Sequence, residues 1–341
     1  MNSQMIKNID ALEDLTDDDL TSLVTRNNQQ RKKGKVLVKQ KGSQQITRTI
    51  DPTLETNYPY TYHASQHERQ WLLASIEELH EQNWFEDVLA MVKGGKEASV
   101  YLCKTPEGME QPLLAAKVYR PRRFRNLKKD HLYREGREQL DATGKVILDD
   151  RSHHAMQKKS SYGLELLHTS WIGHEVRTME LLHAAGVDLP KVYASSDNAI
   201  MMDYIGDETS AAPTLNTVTL TAEEAGPLFE RVLANIELML QHNRIHADLS
   251  AYNILYWNGE ITLIDFPQAI HPDENPNAWR IFARDVEKVC AYFATQGVKS
   301  DPHAISSRMW KSRGRALNPQ VDPRFLDPEK DEDRQAWQRQ A

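Results

Sequence analysis

The sequence predicts an α+β fold in two lobes, an antiparallel sheet followed by a smaller, mostly helical lobe. Three observations carry that expectation. Short apolar runs between residues 85 and 120 are broken by Gly95 and by the polar turn Thr105–Gly108, the punctuation of antiparallel strands. Apolar residues at helical spacing then mark residues 170–186 and 227–242. Further on, Asn258-Gly259 separates two apolar runs, a strong signal for a two-residue hairpin turn. At 341 residues the chain fits one large two-lobed domain or two ordinary ones.

Residues 1–64 stand apart. An acidic start (Asp17, Asp18, Asp19) gives way to Arg26–Arg48, which holds eight Lys or Arg and no acid. With little apolar area to bury, this stretch is expected to be a disordered basic arm. Two readings fit it: a solvated tail, or an arm that meets RNA phosphates. Order is expected from about His67, where Trp71, Leu72, Ile76 and Leu79 share one helical face.

The apolar runs FEDVLAMV, EASVYLCK and LLAAKVYR follow as three strands. A long polar segment between Tyr119 and Ser170 reads as part helix and part flexible insertion, with Ser152, Ser160 and Ser161 inside it. SWIGHEVRTMELLHAAG is a helix with Ser170 as candidate N-cap and Gly186 as its stop. Strands near Lys191–Ala194 and Ala199–Tyr204 end the first lobe (65–206) at Gly206. The second lobe (207–300) begins with a helix presenting Phe229, Val232, Leu233, Ile236 and Leu240 on one side. The hairpin comes next, then a helix over Trp279–Thr295. Residues 301–341 turn polar and are expected to be a tail.

A net charge of −7 argues against a protein that coats nucleic acid over its whole surface. Cys103 and Cys290 are the only cysteines, too few and too far apart for a Cys-rich zinc site or a disulfide framework. The first residues lack the apolar run of a signal peptide, and no stretch approaches the roughly 20 apolar residues that span a bilayer. A cytoplasmic protein without a membrane partner is the expectation.

The chemistry concentrates in HADLSAYNILYWNGEITLIDF, His246 to Phe266. His-x-Asp, an Asn five residues after that Asp, and an apolar strand ending in Asp265 follow the order of a phosphoryl-transfer loop. Such a site needs hard oxygen ligands for Mg2+, which Asn253 and Asp265 supply, and an ionised carboxylate facing the nucleophile, which is Asp248. Upstream, Lys117 lies in an apolar strand, as a lysine on the α- and β-phosphates of ATP would. Glu175 on the following helix is its candidate partner. Gly94, Gly95 and Lys96 form a candidate phosphate loop, although Ala98 stands where a third glycine would come.

These segments together resemble the RIO family of atypical serine/threonine protein kinases. The resemblance rests on Gly95-Lys96-Glu97-Ala98-Ser99-Val100-Tyr101, Ala116-Lys117-Val118-Tyr119 and Asp203-Tyr204-Ile205-Gly206. It continues through His246-Ala247-Asp248-Leu249-Ser250-x-Tyr252-Asn253 and Ile264-Asp265-Phe266-Pro267-Gln268, so that it covers about residues 84–295. Typical protein kinases carry Lys two residues after the catalytic Asp; this chain has Ser250, as RIO kinases do.

The resemblance implies a bilobal protein-kinase-like fold with an antiparallel-sheet N-lobe and a reduced helical C-lobe. It implies ATP and Mg2+ as cofactors, with Asp248 and Asp265 catalytic and Asn253 and Asp265 on the metal. Lys96, Lys117, Glu175, Asp203 and Ile205 would bind the nucleotide, the last two through hinge backbone groups. It further implies serine/threonine kinase or ATPase activity in small-ribosomal-subunit maturation, self-phosphorylation in the polar insertion, and an Asp265 that can accept phosphate. Lys93-Gly94 replace the family's Ser-Thr before Gly95, removing a serine hydroxyl, and residues before His67 are too few and polar for the winged helix of one branch. Two other readings share the motif: a small-molecule phosphotransferase of the aminoglycoside or choline kind, and a nucleotide-gated assembly factor.

Overall fold

The computed structural model describes residues 59–95, 97–120, 139–140, 146–158 and 160–316. The basic arm through residue 58, Lys96, residues 121–138, 141–145 and 159 of the expected polar insertion, and the tail from 317 lie outside the described residues.

Helix α1 (Gln66–Glu81) buries Leu72, Ile76 and Leu79, as their three- and four-residue spacing requires. Chain packing starts earlier than position 65. Tyr60 and Ala64 are buried in the same core, the Tyr60 ring lies 5.8 Å from Phe85, and Tyr62 N donates to Val88 O over 2.8 Å. The aromatic rings at the end of the arm supply the apolar area that its basic part lacks.

Strands β1 (Asp87–Gly94), β2 (Ala98–Lys104), β3 (Leu113–Tyr119), β4 (Val192–Ser195) and β5 (Ala199–Asp203) form one sheet, ordered β1-β2-β3-β5-β4 and antiparallel throughout. The period of two divides β3 between two surroundings. Leu114, Ala116 and Val118 join the core under α1, while Ala115, Lys117 and Tyr119 face the cleft on the other side.

Helix α2 (Asp150–Gln157) precedes α3 (Ser161–Ala184), which starts ten residues earlier than the sequence suggested. Its N-cap is Ser160, whose hydroxyl accepts from Gly163 N. Ser170 instead lies buried in mid-helix and accepts from Leu140 N over 2.9 Å. A serine hydroxyl serves either role, and only the tertiary partner distinguishes them. Gly186 ends the helix region in the left-handed conformation, φ 87°.

In the second lobe α4 (Ala222–Gln241) opens with a capping box between Thr221 and Glu224 and buries Phe229, Val232, Leu233, Ile236 and Leu240. Strands β6 (Ile254–Trp257) and β7 (Glu260–Leu263) pair around Asn258 and Gly259, both with positive φ (51° and 84°). Helix α5 (Ala278–Thr295) packs Ile281, Phe282, Val286, Val289 and Phe293 into that core.

The segment expected as a polar tail from 301 begins with a further helix, α6 (Pro302–Lys311). It starts on an Asp301 cap and buries Met309 and Trp310, whose ring lies 5.5 Å from Trp279 and 5.4 Å from Phe282. A short helix needs only a few apolar side chains, and these were diluted among polar neighbours. Among the described residues no helix is long and apolar enough to cross a membrane.

Candidate active site

Between the cleft face of the sheet and the β6–β7 hairpin lies a cavity of about 520 Å³, a size suited to a nucleotide. Lys117, Glu175, Asp203, Ile205, Asn253 and Asp265 all line it. Strand β3 aims Lys117 inward, and α3 carries Glu175 to meet it. The Lys117 ammonium lies 2.6 Å from Glu175 Oε1 and 2.7 Å from Asp265 Oδ1. Glu175, almost wholly buried, also accepts from the Tyr119 hydroxyl and from Phe266 N at 3.3 Å.

The two buried charges, Lys117 and Glu175, are therefore paired, as buried charges must be, while the Asp265 side chain is 46% exposed. Burial is the strongest influence on the Lys117 ammonium and pulls its pKa down, but Asp265 and Glu175 together outweigh it and hold the pKa above that of an ordinary lysine. For Asp265 the signs reverse: burial pushes upward, and Lys117 more than offsets it, leaving the pKa below the usual carboxylate range.

The catalytic loop is built around His246. Its Nε2 lies 3.1 Å from Ile264 O, an atom that can only accept, so Nε2 carries the proton. Nδ1 then accepts from Asp248 N at 3.3 Å. The imidazole is buried against Phe266, ring centroids 4.7 Å apart, and acts as a strut. Ala247 and Asp265 both hold positive φ (69° and 74°), a costly conformation for residues with a Cβ. Arg284 donates to the Ala247 carbonyl, and Asp285 beside it is buried in the apolar face of α5. Burial raises its pKa against the opposing pull of Arg284.

Asp248 does not line the cavity; it sits next to it through Asn253. The Asn253 amide nitrogen donates to Asp248 O (2.9 Å) and approaches Asp248 Oδ2 (3.4 Å), which leaves its carbonyl oxygen for another partner. On the other side Lys288 Nζ, from α5, lies 3.1 Å from Asp248 Oδ1. That pair is half exposed to water and worth about 1 kcal/mol or less.

One amide oxygen and one carboxylate fit Mg2+, which takes few protein ligands and completes its shell with phosphate oxygens and water. Among the described residues no group of three or more His, Cys, Asp or Glu could hold a metal by itself. The phosphate-loop candidate keeps one firm steric feature: a Cβ on Gly95 would lie 2.7 Å from Ala98 O, closer than real contacts allow. At the hinge, Asp203 N donates to Lys191 O and Ile205 O accepts from Ala212 N. Both residues line the cavity.

With this geometry in hand, comparison with known proteins is decisive. The family model described as RIO domain matches residues 100–305, more than half of the chain. The chain belongs to the RIO family. It is 31% identical over 135 residues to the RIO-type serine/threonine-protein kinase Rio1 of Thermoplasma acidophilum, covering 40% of this chain and 69% of that one. Serine/threonine-protein kinase rio1 of Schizosaccharomyces pombe is 26% identical over 209 residues, 61% of this chain and 38% of its own. Serine/threonine-protein kinase RIO1 of Caenorhabditis elegans is 28% identical over 129 residues, 38% and 25%. The chain thus spans well under two thirds of the length of the latter two. Among solved structures, the Cydia pomonella granulovirus kinase PK-1 is similar with a TM-score of 0.39 and 14% identity, over 65% of this chain and 72% of that one.

Every site residue expected from the sequence, except Lys96, which lies outside the described residues, lines the cavity or touches a residue that does. Sequence reading missed Tyr119, Arg284, Asp285 and Lys288. Asp285 left a signal: it is an acid within the apolar stripe Ile281, Phe282, Val286, Val289, and a buried acid needs a reason. Lys288 left none, because a lysine beside such a stripe is ordinary.

Proposed function

We propose that this chain is an ATP- and Mg2+-dependent phosphoryl-transfer enzyme, a RIO-type serine/threonine kinase. The observation that carries this reading is Lys117 bridging Glu175 and Asp265 across the cleft, since phosphoryl transfer is chiefly positioning and charge neutralisation. Adenine would lie against the hinge at Asp203 and Ile205, with Lys117 on the α- and β-phosphates. The Asn253 carbonyl and the Asp265 carboxylate would hold Mg2+, which when bound neutralises phosphate charge. Asp248 orients the acceptor hydroxyl and takes its proton. The acceptor oxygen bonds to the γ-phosphorus as the bond to the bridging oxygen breaks, and ADP leaves.

The acceptor side favours a tethered or hydrolytic target over free peptides. Only a short path joins Asp265 to α5 at Ala278, which offers little platform for an extended peptide. Tethering gives the residues before α3 a high effective concentration. Among the serines singled out there, Ser152 is buried and Ser160 is exposed, so Ser160 is the better acceptor. A role in small-ribosomal-subunit maturation, with the basic arm on RNA, rests on the family resemblance and the charge of that arm.

Incubation with Mg-ATP, followed by mass spectrometry and phosphate release, tests the reading. Chelator-sensitive ATP consumption with phosphate on Ser160 or a neighbour, or released to water, is expected. ATP left intact would overturn the reading, and fast phosphorylation of generic peptides without self-modification would overturn its acceptor side.

A further inference from the structure

Lys288 lies outside every motif that identifies the site, yet among the described residues its ammonium forms the ion pair with the Asp248 carboxylate, 3.1 Å from Oδ1, reached from a helix 40 residues further along the chain. The other charged groups around the loop are already committed. Lys117 is clamped by Glu175 and Asp265, and Arg284 is turned to the Ala247 carbonyl and Asp285. The catalytic loop itself brings no cation, since Ser250 stands two residues after Asp248. Lys288 is 39% exposed and Asp248 52%, so the pair faces water on the open side of the site, where an acceptor must enter.

We propose that Lys288 is a catalytic cation: it leaves Asp248 when Mg-ATP and acceptor bind, and contacts the oxygens of the transferring phosphoryl group. This deepens the proposed function and rests on it. Any acceptor oxygen must sit within hydrogen-bond distance of Asp248 and in line with the γ-phosphorus. A flexible ammonium 3.1 Å from that carboxylate is then within a side-chain rotation of the phosphoryl oxygens. Charge gathers on those oxygens during transfer, so a cation aimed there lowers the barrier more than it tightens ground-state binding. The pair is also screened by water and therefore easily exchanged for a more highly charged partner, unlike the buried clamp on Lys117.

The test compares Lys288→Met, Lys288→Arg and Asp248→Asn in the full chain, measuring ATP turnover, binding of a fluorescent ATP analogue, and thermal melting. Lys288→Met is expected to lower kcat about 100-fold while the KM for ATP changes less than about threefold. Melting should stay as in the parent, and Lys288→Arg should restore most of the rate, since a guanidinium keeps the charge. Turnover of Lys288→Met equal to or above the parent would overturn the proposal. So would a loss confined to acceptor KM, which would make Lys288 an acceptor-binding group, or one explained by a lower melting temperature. Asp248→Asn separates the two levels: if it stays active, the reading of the site itself fails; if it is inactive while Lys288→Met is normal, only the role of Lys288 fails.

Discussion

Lys117 and Lys288 each lie within ion-pair distance of an aspartate of the candidate site, yet their surroundings differ. The Lys117 side chain is 9% exposed and bridges two carboxylates from different elements, one on α3 and one after β7. Lys288 is 39% exposed and meets one carboxylate that is itself open to water. Desolvation decides what each pair can do. Separating a buried ammonium from its partners leaves charge stranded in the interior, so Lys117 is fixed before substrate arrives. An exposed pair costs little to open, so Lys288 can move during turnover. In the proposed reading, the site combines a rigid clamp at the phosphates with a loose cation at the acceptor.

Removing the clamp should give the largest effect. Lys117→Met is expected to abolish turnover by about 1,000-fold and to cost roughly 3 kcal/mol of stability, because Glu175 stays buried without its cation. Chemical denaturation and ATP turnover check both figures. Lys288→Met should leave stability within about 0.5 kcal/mol, as for most exposed sites. Equal destabilisation by the two variants would erase the distinction between them.

Arginine sharpens the contrast. Lys117→Arg should fail to restore activity, because a planar guanidinium cannot sit where the ammonium is clamped between Glu175 and Asp265. Kinetics of this variant beside Lys288→Arg would separate a position that needs a shape from one that needs a charge.

A carboxylate away from the cleft supplies the mildest case. Glu224 is held down to a pKa of about 2, first by the Tyr256 hydroxyl and then by Thr221, with no cation involved. Its folded pKa lies below the ordinary 4.5, so its contribution is present above pH 4.5 and is lost as pH falls toward 2. Glu224→Gln should flatten the stability profile in that window and leave it parallel to the parent near neutrality. Thr221→Ala, which removes the other half of the capping box and one of the donors to Glu224, should cost about 1 kcal/mol near neutrality and less as pH falls toward 2. Melting curves across the acid range check both.

Much of this was legible in the sequence, for reasons that differ by element. Strands β1 to β3 and the β6–β7 hairpin were visible because glycine and polar turns bracket short apolar runs. The order from Asp248 through Asn253 to Asp265 was visible because phosphoryl transfer needs those groups at that spacing. The start of α3 was misplaced because Ser160 and Ser170 carry the same hydroxyl, and only the Leu140 amide reveals that the second lies inside the helix. Helix α6 was hidden because Met309 and Trp310 find their partners on α5, far off in the chain. Lys288 was hidden for the same reason. Contacts fixed by local period or motif spacing can be read from a sequence, whereas those made by the docking of distant helices cannot.

The division of labour between Asp248 and Asp265 is the central claim, and nucleotide affinity measured beside turnover tests it most directly. Asp248→Asn should bind Mg-ATP within about threefold of the parent while turnover falls by about 1,000-fold, since only the transfer step uses that carboxylate. Asp265→Asn should lose affinity and turnover together, since both the Mg2+ ligand and one arm of the Lys117 clamp are weakened. Near-parent turnover in both variants, or equal loss of nucleotide binding in both, would contradict it.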